Sequence, residues 1–312
     1  MNHPSSVKLC EVGLRDGLQN EPVILTTAQK VEILKGLIDA GFKVIEVGSF
    51  MHPTRVPQMA NTDEVFKEIG EVPGVELRAL IPNKRGVDRA VACGCKKVKL
   101  NVSASRMHNI KNLNRTPEES VAGFADACDA ARAAALEISG SISMPFASPW
   151  EGRIPVSDVD SISEAYLAVG INEISLSDAS GMATPYGVYD LCSHVREKYP
   201  QCTWWLHFHN TRGLAVANII TAMAAGMTQF DSSFGGLGSC PFVPGAAGNV
   251  STEDVLHLCE EEDIVTGIDI VKIIDISRNL KTMLGHNFAQ VVGGFILGLA
   301  VGCGGYLIAK YF

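Results

Sequence analysis

The run "WWLHFHNTRG", Trp204 to Gly213, sets two histidines two residues apart. Side chains of an extended strand alternate with a period of two, so His207 and His209 point one way and Phe208 the other, which lets two imidazoles grip one ion. The alternative is a pair of core histidines satisfied by hydrogen bonds. A carboxylate for the same ion is offered by "LCEVGLRDGLQNEP", Leu9 to Pro22, where Arg15, Asp16 and Gly17 stand at the end of an apolar run. Alone, that triplet reads as a solvated turn in which Gly17 lets the chain swing away. Opposite a histidine pair, it reads as the rim of a site.

A third stretch, "SSFGGLGSCPFVPGAAGNVSTED", Ser232 to Asp254, is rich in glycine. Gly235, Gly236 and Gly238 permit backbone angles closed to other residues. Cys240 rides among them, either as a small buried hydrophobe or as a reactive thiol on a moving loop. Asn249 comes just before Ser251 and Thr252, and its amide oxygen suits a turn device or a ligand for a hard cation. Asp16, His207, His209 and Asn249 together offer two imidazoles and two oxygens without a thiolate. That set suits Mg or Mn, with open positions for substrate and water, better than structural zinc. Glu46 in "VIEVGSF" and Asp178 in "ISLSDASG" are further strand-end acids, read as structural partners of a buried arginine or as direct participants.

These residues sit at the ends of short β-rich runs that alternate with amphipathic stretches of helix length. Eight strands are expected: Val7 to Val12, Val44 to Val47, Val75 to Ile81, Lys97 to Val102, Glu137 to Met144, Glu173 to Leu176, Thr203 to Phe208 and Gln229 to Phe234. The first helix is the best marked, with Thr26 and Gln29 as a capping box, a stripe of Val31, Leu34, Leu37 and Ile38, and a stop at Gly41. Other helices are expected at Asn61 to Ile69, Arg85 to Cys93, Pro117 to Ala135, Val156 to Val169, Thr184 to Lys198, Leu214 to Ala225, Thr252 to Glu262 and Ile268 to Met283. Eight β-then-α units in about 260 residues predict an α/β fold, a closed (β/α)8 TIM barrel. A doubly wound sheet would call for a glycine-rich phosphate turn after the first strand, and no G-x-G-x-x-G follows it. In such a barrel the chemistry belongs just past the carboxyl ends of the strands, which is where the candidate residues fall.

With 312 residues, 46% hydrophobic and 19% charged, the chain can bury a large core and is not of disordered type. A net charge of -8 without a basic run argues against nucleic acid as a partner and for small molecules. Nine cysteines without a Cys-x-x-Cys pair indicate a reducing compartment, and "MNHPSSVK" has no apolar signal-peptide core, so a cytoplasmic location is expected.

The segments "EVGLRDGLQNEP", "FKVIEVGSFMHPTRVPQM", "VSASRMHNIKNLNRTPEES", "FASPWEGRI", "EISLSDASGMATP", "HFHNTRGLAVAN" and "FDSSFGGLGSCPFVPGAAGNVSTEDV" resemble, in order, those of the 3-hydroxy-3-methylglutaryl-CoA lyase family. The resemblance implies a metal-dependent, retro-Claisen-type cleavage of a tertiary 3-hydroxyacyl-CoA to acetyl-CoA and a 3-keto acid, which is acetoacetate if the substrate is the methylglutaryl compound. It implies metal binding by Asp16, His207, His209 and Asn249, and substrate contact by Arg15, which would face the enolate oxygen. Ser49, Gly236 and Gly238 are further substrate contacts on this view, Glu46 and Asp178 supporting acids, and Cys240 or His207 the proton donor to the enolate carbon. The chain departs from the commoner "HDTYG" in having Asn210 and Arg212, and a related 3-alkylglutaryl substrate is the alternative. A Claisen synthase of the same group would need a longer accessory region than the one after Glu262. A catalytically silent scaffold would not need the full set of ligands and arginine.

The expected organisation is a catalytic barrel over residues 1–264, a helix packing on it over 265–288, and an apolar tail over 289–312. Val291 to Ala309 is nineteen residues without a charge, with Gly294, Gly298 and Gly302 spaced by four, the pattern of a membrane contact or a self-associating helix. A homo-oligomer is expected.

Overall fold

The structure, a computed structural model, describes residues 3–238 and 248–284. Eight parallel strands, β1 Lys8–Glu11, β2 Val44–Ser49, β3 Glu76–Ile81, β4 Lys97–Ser103, β5 Glu137–Ser143, β6 Glu173–Asp178, β7 Thr203–Phe208 and β8 Gln229–Ser232, close in chain order, with β8 paired to β1. Helices join them on the outside: α1 Thr27–Asp39, α2 Thr62–Ile69, α3 Lys84–Cys93, α4 Arg106–Leu113, α5 Pro117–Ala122, α6 Phe124–Ala133, α7 Val156–Ala168, α8 Pro185–Lys198, α9 Ala215–Ala224 and α10 Thr252–Glu261. A last helix, α11 Ile270–Met283, packs on α1 and α10. The barrel expectation holds strand by strand.

The local chemistry of α1 shows why the alternation is so legible. Thr26 accepts the Gln29 N–H while Gln29 accepts the Thr26 N–H, closing the capping box. Val31, Leu34 and Leu37 then bury one face against the barrel, each stabilising by about 1.5–3 kcal/mol. Where caps and periodicity are weak, the sequence reading departs from the structure. The expected single helix from Pro117 to Ala135 is two, broken at Gly123 so that Phe124 can stack flat on Tyr166 at 4.5 Å between ring centroids. Helix α4 is polar and without a clear apolar stripe, which is why the sequence reading does not include it; Ser105 caps it by accepting the His108 N–H at 3.1 Å.

Inside the barrel the strands are not uniformly apolar. Cys10, Val12, Val44 and Trp205 form a small apolar cluster apart from the main core. At the amino-terminal end, Arg78 donates to Glu76 and reaches Glu173, and Lys97 reaches Glu173 at 2.6 Å and Glu76 at 3.1 Å. The Arg78 guanidinium lies 4.9 Å from the Trp205 ring centre, so this end is closed by paired charges stacked on an aromatic ring. Among the described residues no helix is long and apolar enough to cross a membrane. The apolar tail, Val291 to Ala309, lies outside the described residues, as does Cys240.

Candidate active site

Beyond β1 the chain does not make a simple turn. Gly13–Gly17 is a single π-helical turn, in which the Val12 carbonyl accepts N–H groups from Arg15 (3.0 Å), Asp16 (2.7 Å) and Gly17 (3.3 Å). This wide turn carries Arg15 and Asp16 to the mouth together. Gly17 has another job than the expected one: its φ is not positive, and a side chain there would press on Leu237 at 3.0 Å and Ser233 at 3.1 Å. Its smallness lets the turn pack against the segment after β8. Glu11 fastens the two, accepting the N–H groups of Gly13 (2.7 Å) and Phe234 (3.1 Å) on one oxygen and the Thr252 hydroxyl (2.7 Å) on the other. Burial pushes its carboxyl up to about 8.

At the mouth, Asp16 Oδ2 stands 3.7 Å from His207 Nε2 and 3.6 Å from His209 Nε2. These three are the metal-competent cluster among the described residues, their donor atoms all within 4.8 Å of one another. Asp231 Oδ2 accepts a hydrogen bond from Nδ1–H of His207 at 3.3 Å, which turns the lone pair of Nε2 toward the cluster. Asn249 donates from Nδ2 to Asp16 Oδ2 (2.9 Å) and to the Leu237 carbonyl (2.8 Å), and its Oδ1 is buried without a hydrogen-bond partner. His209 and Asn249 are tied by an isolated antiparallel bridge. Gly238, at φ +117°, leaves the room that Asn249 occupies: a side chain there would collide with the amide. Two imidazoles and a carboxylate fit a divalent cation, while Asn249 turns its Nδ2, not its Oδ1, toward Asp16.

Arg15 donates from Nε to Glu46 and from Nη1 to Asp16. Burial opposes its charge, but the two acids outweigh burial and raise its pKa, so the guanidinium is permanently ionised. Glu46 is fully buried and holds a second cation, Lys99, whose Nζ lies 2.6 Å from Oε2 and 3.6 Å from Asp231 Oδ2. Burial would raise both acids, yet Arg15 and Lys99 hold Glu46 below its usual range, and Lys99 with His207 holds Asp231 at about 2. Lys99 and Asp231 are the charged site residues that sequence reasoning missed. The signal was there, a lysine at alternate spacing in "KVKLNV" and an acid inside "QFDSS", polar residues with inward parity on barrel strands.

A cleft of about 270 Å³ opens above these groups. Arg15, Asp16, Lys99, His207 and His209 line it together with Asn101, Ser141, Ser143 and His108. His108 is buried, which pushes its pKa down to about 4 and keeps its ring neutral. Of the expected residues, Asp178 does not face this cleft. Its carboxylate accepts the N–H groups of Met182 (3.0 Å) and Ala183 (2.9 Å) and shapes the loop after β6; burial raises its pKa. Ser49 is buried at the end of β2 and is likewise not among the lining residues, nor are Gly236 and Gly238. Asn210 and Arg212 act on loops: Asn210 Oδ1 accepts the Ala215 N–H at 3.2 Å, and Arg212 donates to the Ser180 carbonyl at 3.0 Å.

Residues 6–280 match the HMGL-like family. A hydroxymethylglutaryl-CoA lyase of Bacillus subtilis is 38% identical over 285 residues, 91% of this chain and 95% of that protein. The mitochondrial hydroxymethylglutaryl-CoA lyase of Gallus gallus is 40% identical over 272 residues, 87% of this chain and 91% of its own. Among solved structures, an HMG-CoA lyase from Acinetobacter baumannii in complex with coenzyme A and 3-methylmalate superposes with a TM-score of 0.86 at 40% identity, covering 92% of this chain and 94% of that one.

Proposed function

The chain belongs to the HMGL-like family, and on that premise we propose that it is a divalent-metal-dependent carbon–carbon lyase that cleaves 3-hydroxy-3-methylglutaryl-CoA to acetyl-CoA and acetoacetate. The observation that carries this reading is the meeting of Asp16, His207 and His209 beside a guanidinium at the mouth of one cleft. An acyl-CoA substrate is in keeping with the coenzyme A bound by the relative from Acinetobacter baumannii.

Asp16, His207 and His209 would hold the ion, Mg or Mn, and Asn249 would join them if its amide turned over to present Oδ1. Bound there, such an ion supplies a Lewis acid that lowers the pKa of the substrate's 3-hydroxyl. Once water in the cleft has carried that proton to solvent, the C2–C3 bond can break, the oxygen becoming the ketone of the keto acid and the electron pair passing to the thioester as an enolate. Arg15 faces this developing charge, held by Glu46 and Asp16 so that no reorganisation is needed as the bond breaks. A fixed donor of this kind contributes on the order of 3 to 4 kcal/mol. Cys240 is proposed to protonate C2 of the enolate; it lies outside the described residues, between Gly238 and Gly248, whose backbones meet beside Asn249. Ser49, Gly236 and Gly238 act in this reading behind the cleft wall rather than on the substrate.

The test is release of acetyl-CoA from 3-hydroxy-3-methylglutaryl-CoA, with longer 3-alkyl homologues alongside, in the presence of Mg or Mn. Arg15→Gln is expected to lower turnover by about a hundredfold to a thousandfold while metal affinity changes much less. A variant that kept most of its turnover would remove Arg15 from the enolate role. The barrel unit is proposed to run through residue 264, with 265–288 packed on it. For the tail, a carbonate wash of cell membranes decides: full release of the protein would rule out anchoring.

A further inference from the structure

We propose that Lys99 is a positioning residue of this site, the cation that lets an enolate-facing arginine and a metal-binding histidine be held by two buried acids side by side; the proposal rests on the lyase reading above. Lys99 projects from β4 into the barrel, 3% exposed, with Nζ 2.6 Å from Glu46 Oε2 and 3.6 Å from Asp231 Oδ2. The other oxygen of Glu46 holds Arg15 Nε, and Asp231 Oδ2 also orients His207. One ammonium therefore joins the acid behind the arginine to the acid behind the histidine. It lines the cleft but reaches neither Arg15 nor His207 except through these acids.

Without the ammonium, the buried Glu46 and Asp231 and the partly buried Asp16 would be left with Arg15 as the cation in direct contact, Arg78 acting on Asp231 only from a distance. Taking one member from a buried charge network leaves an uncompensated charge, so Glu46 could no longer hold Arg15 in place. Asp16 keeps its own bond to Arg15 and its position against His207 and His209, so the metal cluster survives. Removing a positive charge from the vicinity also makes the pocket more attractive to a divalent cation. The two halves of the site should respond in opposite senses, whereas a lysine needed only for folding would weaken both together.

The experiment compares the wild type with Lys99→Met and Lys99→Arg, measuring Mn2+ affinity by electron paramagnetic resonance and kcat and KM at saturating Mn2+. We expect Lys99→Met to bind Mn2+ as tightly as the wild type or more tightly, with kcat lowered about a hundredfold and KM much less affected. Lys99→Arg should recover a large part of kcat. If Lys99→Met does not fold, Lys99→Gln takes its place and must show the same split. Parallel loss of Mn2+ binding and turnover, or a kcat close to the wild-type value, would overturn the assignment. A wild-type enzyme that binds Mn2+ but releases no acetyl-CoA would instead overturn the lyase reading, and this inference with it.

Discussion

At the amino-terminal end of the barrel, Arg78 and Lys97 stand against Glu76 and Glu173, so each buried or half-buried charge has an opposite beside it. At the carboxyl-terminal end, Arg15 and Lys99 stand against Asp16, Glu46 and Asp231, and one acid charge is left over. The first network stacks on Trp205 and closes the barrel; the second opens into a cleft lined by two histidines. Both networks bear the desolvation of buried ions, which pairing offsets at best partly. What separates a plug from a site is the charge left unmatched where a ligand can reach it. A divalent cation would complete the upper network, whereas the third acid of the lower one, Glu137 at 3.8 Å from Lys97, is 75% exposed and is left to solvent.

The largest effect that tests this contrast is at Asp16. Asp16→Asn removes the surplus charge and is expected to abolish measurable Mn2+ binding in calorimetry and lower turnover by about a thousandfold or more, since the Lewis acid goes with it. Folding stability should change little, because a partly exposed acid is lost from an acid-rich site. Unaltered Mn2+ binding would break the comparison at its upper end. Next, Arg78→Met leaves Glu76 and Glu173 to share Lys97 alone, and denaturant unfolding should show a loss of about 3 kcal/mol. Its kcat at saturating metal should stay near the wild-type value; a matching fall in Mn2+ affinity would mean that the two ends are not independent.

An effect spread over pH, small at any one step, concerns Glu11, a buried acid that leans on N–H and hydroxyl donors in place of a cation. Its folded pKa is raised by burial from 4.5 to about 8. Between those values the folded chain keeps a proton that the unfolded chain has shed, so stability falls as pH rises through the window, by at most about 1.4 kcal/mol per pH unit. Glu11→Gln cannot ionise, so its stability relative to the wild type should improve from pH 5 to pH 8 in paired urea titrations. A difference that stays flat would mean that three donors alone keep Glu11 ionised, and that a buried acid here can do without a countercharge.

The barrel was readable because each β-then-α unit repeats the same two periods, two on the strand and 3.6 on the helix, with capping residues such as Thr26 marking the switch. The histidine pair was readable because strand parity fixes direction over so short a distance. Lys99 and Asp231 left only a parity signal, which does not tell an inward lysine in "KVKLNV" from a surface residue until its partners on other strands are known. Asp178 misled for the converse reason: a strand-end acid can serve the adjoining loop as well as the cleft, and only the N–H groups of Met182 and Ala183 decide between them. Helix α4 escaped because it lacks an apolar stripe and its Ser105 cap is reinforced from Glu151, some forty residues away, which accepts the Met107 N–H at 2.9 Å and the Ser105 hydroxyl at 2.6 Å.

The turn from Gly13 to Gly17 differs from an α turn by one inserted residue. Chain length there is therefore as much a part of the catalytic apparatus as residue identity. Dropping a single residue between Val12 and Leu18 would tighten the turn to α geometry and rotate the residues downstream of the cut by about 100°. Arg15 and Asp16 could both remain in the chain, and one of them would then face the wall of the barrel instead of its mouth.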